Sequence, residues 1–99
     1  GGIEDHANNL PHVVQRVRKI VDNLRYVLGM EMIHAAQALT LRRQKNPGLP
    51  LGVGVEAAFD EFRRSVPWYD RDRNISTDIE AACQFVKSGD LLKAARRVR

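Results

Sequence analysis

The feature that most constrains this chain is a stretch of 32 residues, 12–43, with no proline and only one glycine, Gly29. It predicts a single long helix, because nothing in it interrupts the backbone hydrogen bonds. Its second half, residues 26–39, is apolar on nearly every side. A helix that is apolar all round has to be surrounded, and this chain is too short to do so. We therefore expect an all-α fold, with one long central helix over residues 12–45 followed by shorter helices, as part of a larger helical bundle.

The first half of this helix has one apolar face. Its apolar residues recur at the three- and four-residue steps of a buried stripe: Val13, Val17, Ile20, Val21, Leu24, Val27 and Leu28. The one-sided pattern gives way to the fully apolar one near Arg25. We expect the helix to begin at the edge of a bundle and to run into its centre.

Residues 1–11 predict a loop that leads into the helix. Asn8 or Asn9 would cap the helix, and Pro11 would occupy its first turn. Glu4, Asp5 and His6 are three ionisable groups in a row within this loop. Their spacing matches no metal-binding template, so chemistry alone favours solvated side chains over a catalytic role.

A ridge of polar residues crosses the apolar half of the long helix. Glu31, His34 and Gln37 recur every third residue, and Thr40 follows. Glu31 and His34 have the Glu-x-x-His spacing of carboxylate-bridged di-iron bundles, but such a site needs a second pair and further glutamates on facing helices. We expect no metal here, and we predict that these side chains meet polar groups of neighbouring helices.

Short helices follow a Gly- and Pro-rich connection over residues 44–54. The pattern predicts helices over residues 55–66, 78–87 and 91–98, all within a C-terminal segment, residues 55–99. Thr77 and Glu80 have the spacing of a capping box for the second of these helices. Gly89 would end that helix in a left-handed conformation, and Asp90 would cap the last one.

Charge and cysteine content limit the classes of function. The net charge is +4, but the arginines are spread along the chain beside acidic residues, which disfavours a nucleic-acid-binding surface. Cys83 is the only cysteine, so no internal disulfide can form, and we expect it to be a buried apolar residue. The single cysteine also favours a reducing compartment, and we expect a cytoplasmic location. Because polar side chains break the longest apolar run, we expect no membrane partner.

Several segments together resemble the C-terminal part of the aromatic amino acid lyases, the family of histidine, phenylalanine and tyrosine ammonia-lyases and related aminomutases. The similarity spans essentially all 99 residues, and the segments that carry it are residues 2–6, 22–31, 35–39, 72–79 and 88–92. The resemblance implies a large helical bundle and a homotetramer, in which this chain would be a C-terminal fragment. Its partners would be the remainder of the parent polypeptide and identical subunits, together with a small amino acid substrate and no nucleic acid.

The resemblance also implies a reaction, the elimination of ammonia from an aromatic amino acid by a 4-methylideneimidazol-5-one (MIO) group. That group forms from an Ala-Ser-Gly triplet, which this sequence does not contain, so we expect the 99 residues to be inert alone. Glu4 matches a glutamate that lines the substrate pocket near the amino group. Ile3 stands where histidine lyases have glutamine, which leaves tyrosine, phenylalanine or an aminomutase reaction open.

The residues also allow a stand-alone helical oligomerisation or binding module without catalysis. This alternative predicts a stable small oligomer in solution. A basic helical nucleic-acid binder is a third hypothesis, and it predicts salt-dependent binding to unrelated duplexes.

Overall fold

The computed structural model describes residues 2–68, 71 and 74–98, and it describes the backbone alone for residues 2–9. This part of the chain is all-α, as predicted, and contains no strand. The four helices are α1 (Gly2–Lys45), α2 (Val53–Ser65), α3 (Ser76–Ser88) and α4 (Asp90–Arg97). Helix α3 packs along α1, and α4 packs along α2.

The molecule is elongated. Its extents are 67 × 37 × 17 Å and its radius of gyration is 18.6 Å, whereas a compact domain of this length has a radius of gyration of about 13 Å. The difference arises because α1, with 44 residues, is far longer than the helices that pack against it. The chain therefore encloses its long helix only in part. The second half, which was expected to lack cover, packs against the short helices through Met32, Ile33 and Ala36, whereas most of the exposed apolar side chains lie in the first half.

The core lies between the second half of α1 and the three short helices. Its buried members are Ala36, Phe62, Val66, Ala82 and Phe85. The rings of Phe62 and Phe85 contact each other at a centroid distance of 5.7 Å and an angle of 47°, a favourable tilted arrangement. Cys83 is also buried, as predicted.

Gly29 marks the closest approach of α1 and α3. A Cβ atom at this position would lie 3.0 Å from the backbone nitrogen of Cys83 and 3.3 Å from the Cβ atom of Ala82. Both distances are shorter than an ordinary van der Waals contact. Gly29 weakens α1 locally, but its missing side chain lets the two helices cross at this distance.

The prediction of a loop over residues 1–11 was wrong for the backbone, because α1 begins at Gly2 and includes Pro11. Asparagine costs at most about 0.7 kcal/mol relative to alanine within a helix, so Asn8 and Asn9 are weak stop signals. Acidic residues near the N-terminus of a helix generally favour it through the helix dipole.

The predicted capping box of Thr77 and Glu80 was also wrong. Helix α3 begins at Ser76, its N-cap is Ile75, and no side chain caps it there. A hydrogen bond forms just before the helix instead, where the Oδ1 atom of Asn74 accepts from the Ser76 N–H at 3.0 Å.

The predicted end of α3 at Gly89 is confirmed. Gly89 is left-handed, with φ 74°, and its N–H donates to the carbonyl of Phe85 at 3.1 Å. The N-cap of α4 is this same glycine rather than the predicted Asp90. A single residue therefore ends α3 and starts α4.

Candidate active-site helix and its packing surface

The residue predicted for the active site, Glu4, lies near the start of α1. Its side chain, like those of Asp5 and His6, lies outside the described residues, so its role stays a prediction. The rise of a helix places Glu4 about 38 Å along the axis from Gly29. The core of this chain is thus far from Glu4, and a pocket around Glu4 would need walls from other segments.

Between Glu4 and the core, α1 carries an exposed apolar stripe. Its nine members are 38–65% exposed: Leu10, Val13, Val14, Val17, Ile20, Val21, Leu24, Val27 and Leu28. Helix α3 contacts the other face of α1, at Tyr26 and Gly29. None of the described helices covers the stripe. Monomeric soluble proteins rarely expose so many adjacent aliphatic side chains.

The polar ridge of α1 finds partners in two ways. His34 lies with its Nδ1 atom 2.8 Å from the carbonyl oxygen of Met30 in its own helix, so Nδ1 carries the proton and donates. Thr40 accepts a hydrogen bond from Arg63 of α2 at 2.8 Å. The contacts to neighbouring helices that we predicted for Glu31 and His34 are not found within the described residues, where His34 pairs with its own helix and Glu31 is exposed.

Arg63 links three parts of the fold. Besides Thr40, its guanidinium donates to the carbonyl of Val66 at 3.2 Å, just beyond the end of α2. It also lies 5.3 Å from the ring centroid of Phe59, within the range of a cation–π contact. Periodicity alone assigns Arg63 to a solvated face, so the sequence pattern does not predict this role.

A second arginine joins the end of α1 to the start of α2. Arg43 donates to the Oε1 atom of Glu56 at 3.0 Å and lies 5.5 Å from the centroid of Phe59. Both side chains of this ion pair are partly exposed, so it contributes little to stability by itself.

Tyr26 and Glu80 join α1 to α3. The Tyr26 hydroxyl donates to the Oε1 atom of Glu80 at 2.7 Å. This hydrogen bond, together with the negative charge of Glu80, raises the pKa of Tyr26 above its ordinary value of 10.0. The carboxylate that was assigned to a capping box therefore binds a tyrosine 54 residues away, which local spacing does not reveal.

An open apolar groove lies beside the core, where α1 and α2 diverge. It has a volume of about 210 Å³ and is lined by Met32, Ala35, Ala36, Leu39, Val55, Ala58, Phe59, Phe62 and Leu91. Like the stripe, it presents aliphatic and aromatic side chains without polar groups to fix a small ligand. Both features are typical of packing surfaces.

Neither a metal site nor a membrane span is found in the described part of the chain. No three His, Cys, Asp or Glu side chains of the described residues cluster closely enough to share a metal ion. None of the described helices has both the length and the apolar character that a membrane crossing requires.

Comparison with known proteins identifies the family. The aromatic amino acid lyase family matches residues 1–64. A histidine ammonia-lyase of Myxococcus xanthus is 40% identical over 95 residues, which cover 96% of this chain and 18% of that protein. A histidine ammonia-lyase of Stigmatella aurantiaca is 34% identical over 95 residues, with the same two shares.

A third relative, a histidine ammonia-lyase of Shewanella piezotolerans, is 40% identical over 83 residues, which cover 84% of this chain and 16% of that protein. No solved structure matches the chain. The chain spans less than a fifth of the length of these curated relatives. Because the family match covers residues 1–64 of 99, this chain belongs to the aromatic amino acid lyase family.

Proposed function

We propose that this chain is the C-terminal part of a longer carbon–nitrogen lyase, which eliminates ammonia from an aromatic L-amino acid. The observation that carries the proposal is the alignment of 96% of the chain with 18% of a protein named histidine ammonia-lyase. The exposed apolar stripe of α1 supports it, because such a surface is stable in water only when further helices cover it.

Within that enzyme the chain would have two roles. Helix α1 would carry Glu4 to a pocket built mostly by other segments. A carboxylate in such a pocket accepts a hydrogen bond from the substrate ammonium, or takes up its proton. The second half of α1, with α2 to α4, would supply part of the packing core of the subunit.

The MIO group would have to come from another part of the parent polypeptide. When present, it supplies the electrophile that the elimination requires. No Ala-Ser-Gly triplet occurs in this sequence, so these 99 residues cannot be the source of the group.

The partners in this proposal are the rest of the parent polypeptide and identical subunits in a cytoplasmic homotetramer. The names of the relatives favour histidine as the substrate. Because Ile3 stands where histidine lyases have glutamine, tyrosine and phenylalanine also remain candidate substrates, and an aminomutase reaction remains an alternative. The 99 residues alone would be inactive.

The test is an assay of the full-length parent enzyme. The purified protein is incubated with L-histidine, L-phenylalanine or L-tyrosine, and both ammonia and the arylacrylate product are measured. We expect one of the three to be deaminated much faster than the others. Absence of ammonia and arylacrylate with all three would refute the proposal, and formation of a β-amino acid would indicate an aminomutase.

Glu4 is tested in the same enzyme. Replacing a group that transfers a proton typically lowers the rate about 10²–10⁴-fold, so we expect Glu4→Gln to reduce kcat by a factor in this range. Asp60→Asn, a matched change at an exposed position of α2, should leave kcat unchanged. If Glu4→Gln retains full activity with the melting temperature unaltered, Glu4 has no role in the reaction.

A further inference from the structure

The apolar stripe of α1 contains a regular heptad seam. Leu10, Val17 and Leu24 recur every seven residues, and Val14, Val21 and Leu28 recur in the same way. Together these six residues alternate in steps of four and three, the spacing of a helix that packs against another helix in a left-handed pair. All six are exposed.

Arginines border this seam on one side. Arg18 and Arg25 are also seven residues apart, and each follows a seam residue by four positions, so both lie on the same edge of the seam. A depression of about 290 Å³ is lined by Val17, Val21, Arg18, Asp22 and Arg25. It therefore has an apolar side formed by the seam and a charged side formed by the arginines.

Within the described part of the chain, this edge has one weak ion pair. Asp22 accepts a hydrogen bond from Arg25 at 3.4 Å, and its side chain is 65% exposed. Exposed pairs of this kind contribute little. The edge thus keeps a net positive charge that a partner helix would face.

Self-pairing of α1 does not satisfy this charge. In an antiparallel pair of α1 helices, the edge with Arg18 and Arg25 would face the same edge of the other copy. In a parallel pair it would face the opposite edge of the seam, which carries Val13, Ile20 and Val27. Neither arrangement places a carboxylate against Arg18 and Arg25, and in the antiparallel pair the like charges of the arginines oppose pairing.

We propose that the heptad seam of α1 binds an amphipathic helix with carboxylates seven residues apart on its edge, supplied by the part of the parent polypeptide that precedes this chain. This inference rests on the proposed function, because it takes the partner helix from the longer enzyme. The relatives offer ample sequence for such a helix, since the chain covers 18% of their length.

The test uses the 99-residue chain and two synthetic helical peptides of about four heptads, the length at which a heptad pattern becomes distinctive. Both peptides have the same leucine and valine seam. One has glutamate at both flanking positions and the other has lysine. Binding is measured by fluorescence anisotropy of the labelled peptide at low salt and again at about 1 M salt, where the Debye length is about 3 Å.

We expect the glutamate peptide to bind about tenfold more tightly than the lysine peptide, the effect that two exposed ion pairs supply. The preference should vanish at high salt. The double variant Arg18→Glu/Arg25→Glu should reverse the preference. The control variant Lys19→Glu/Lys45→Glu makes the same change in net charge away from the seam, so it should keep the preference for the glutamate peptide.

Three results would overturn the inference. The first is equal binding of the glutamate and lysine peptides. The second is that both double variants lose the preference for the glutamate peptide to the same extent. The third is that neither peptide binds, because two copies of the chain pair with each other through α1. The last result would assign the seam to a second copy. Ammonia elimination enters none of these measurements, so they can fail while the proposed function holds, and the activity assay can fail while they succeed.

Discussion

Replacing Gly29 by alanine tests how closely α1 and α3 pack. The new Cβ atom would lie 3.0 Å from the backbone nitrogen of Cys83 and 3.2 Å from the carbonyl carbon of Ala82. Two of the nearest atoms belong to the backbone of α3, so no side-chain rotation can relieve the contact. Helix α3 would have to move away from α1.

The size of the effect follows from two opposing terms. Overpacking a tight contact costs about 1–3 kcal/mol, whereas alanine stabilises a helix by about 0.5–1 kcal/mol relative to glycine. We therefore expect Gly29→Ala to weaken the α1–α3 contact by about 1 kcal/mol. That difference raises the population of the opened state about fivefold.

Cys83 provides the assay. It is the only cysteine of the chain and is 7% exposed, at the same helix crossing as Gly29. A thiol reagent reaches it only when α3 separates from α1, so its labelling rate under native conditions reports the opened population. We expect Gly29→Ala to label about fivefold faster than the unchanged protein.

Gly54 supplies the matched control. It also lies within a helix, α2, but a Cβ atom there would lie 3.6 Å from the carbonyl oxygen of Ala95, an ordinary contact. Gly54→Ala should therefore stabilise the chain by about 0.4–1 kcal/mol, with labelling of Cys83 unchanged or slower. Unchanged or slower labelling of Gly29→Ala would refute the reasoning about the helix crossing.

Three further predictions concern the contacts between helices. Arg63→Ala should lower the free energy of unfolding by about 1–2 kcal/mol, because it removes hydrogen bonds to α1 and to the end of α2. Arg64→Ala, at an exposed neighbour, should change it by less than about 0.5 kcal/mol, as measured by urea denaturation. Gly89→Ala should cost about 1–2 kcal/mol in the same measurement, since its φ of 74° disfavours a side chain. Glu80→Gln should lower the pKa of Tyr26, because the charge and the hydrogen-bonding carboxylate raise it. The stability that the hydrogen bond between Tyr26 and Glu80 contributes should be present below about pH 10 and lost as the pH rises through the raised pKa of Tyr26. A titration followed by phenolate absorbance measures this pKa.

Each of these predictions has a contrary outcome. Equal effects of Arg63→Ala and Arg64→Ala would show that the bonds of Arg63 contribute nothing beyond a surface charge. An unaltered midpoint for Gly89→Ala would contradict a left-handed residue between α3 and α4. A phenolate titration that is unchanged in Glu80→Gln would mean that the hydroxyl of Tyr26 does not bind this carboxylate.

The sequence by itself determined the helical class and where most helices end. The spacing of apolar residues repeats every few positions, so it is readable in any short window. The Pro- and Gly-rich connection ends α1, and Gly89 ends α3, because the backbone restrictions of proline and glycine are local. The apolar face of the first half of α1 could also be read directly, since it follows from periodicity, but the sequence assigned the lack of cover to the second half, which the short helices partly cover.

Only the tertiary structure decided which side chains meet across helices. Glu80 was assigned to Thr77 on spacing, but it binds Tyr26 because the packing of α3 on α1 places that hydroxyl 2.7 Å away. Gly29 was visible in the sequence, but only the structure shows why a side chain does not fit there, since the backbone of Cys83 lies too close. The start of α1 also escaped prediction, because the preferences of Asn8 and Asn9 are weak compared with continued helix formation. Contacts between residues distant in sequence depend on the relative positions of whole helices, and no local pattern encodes these.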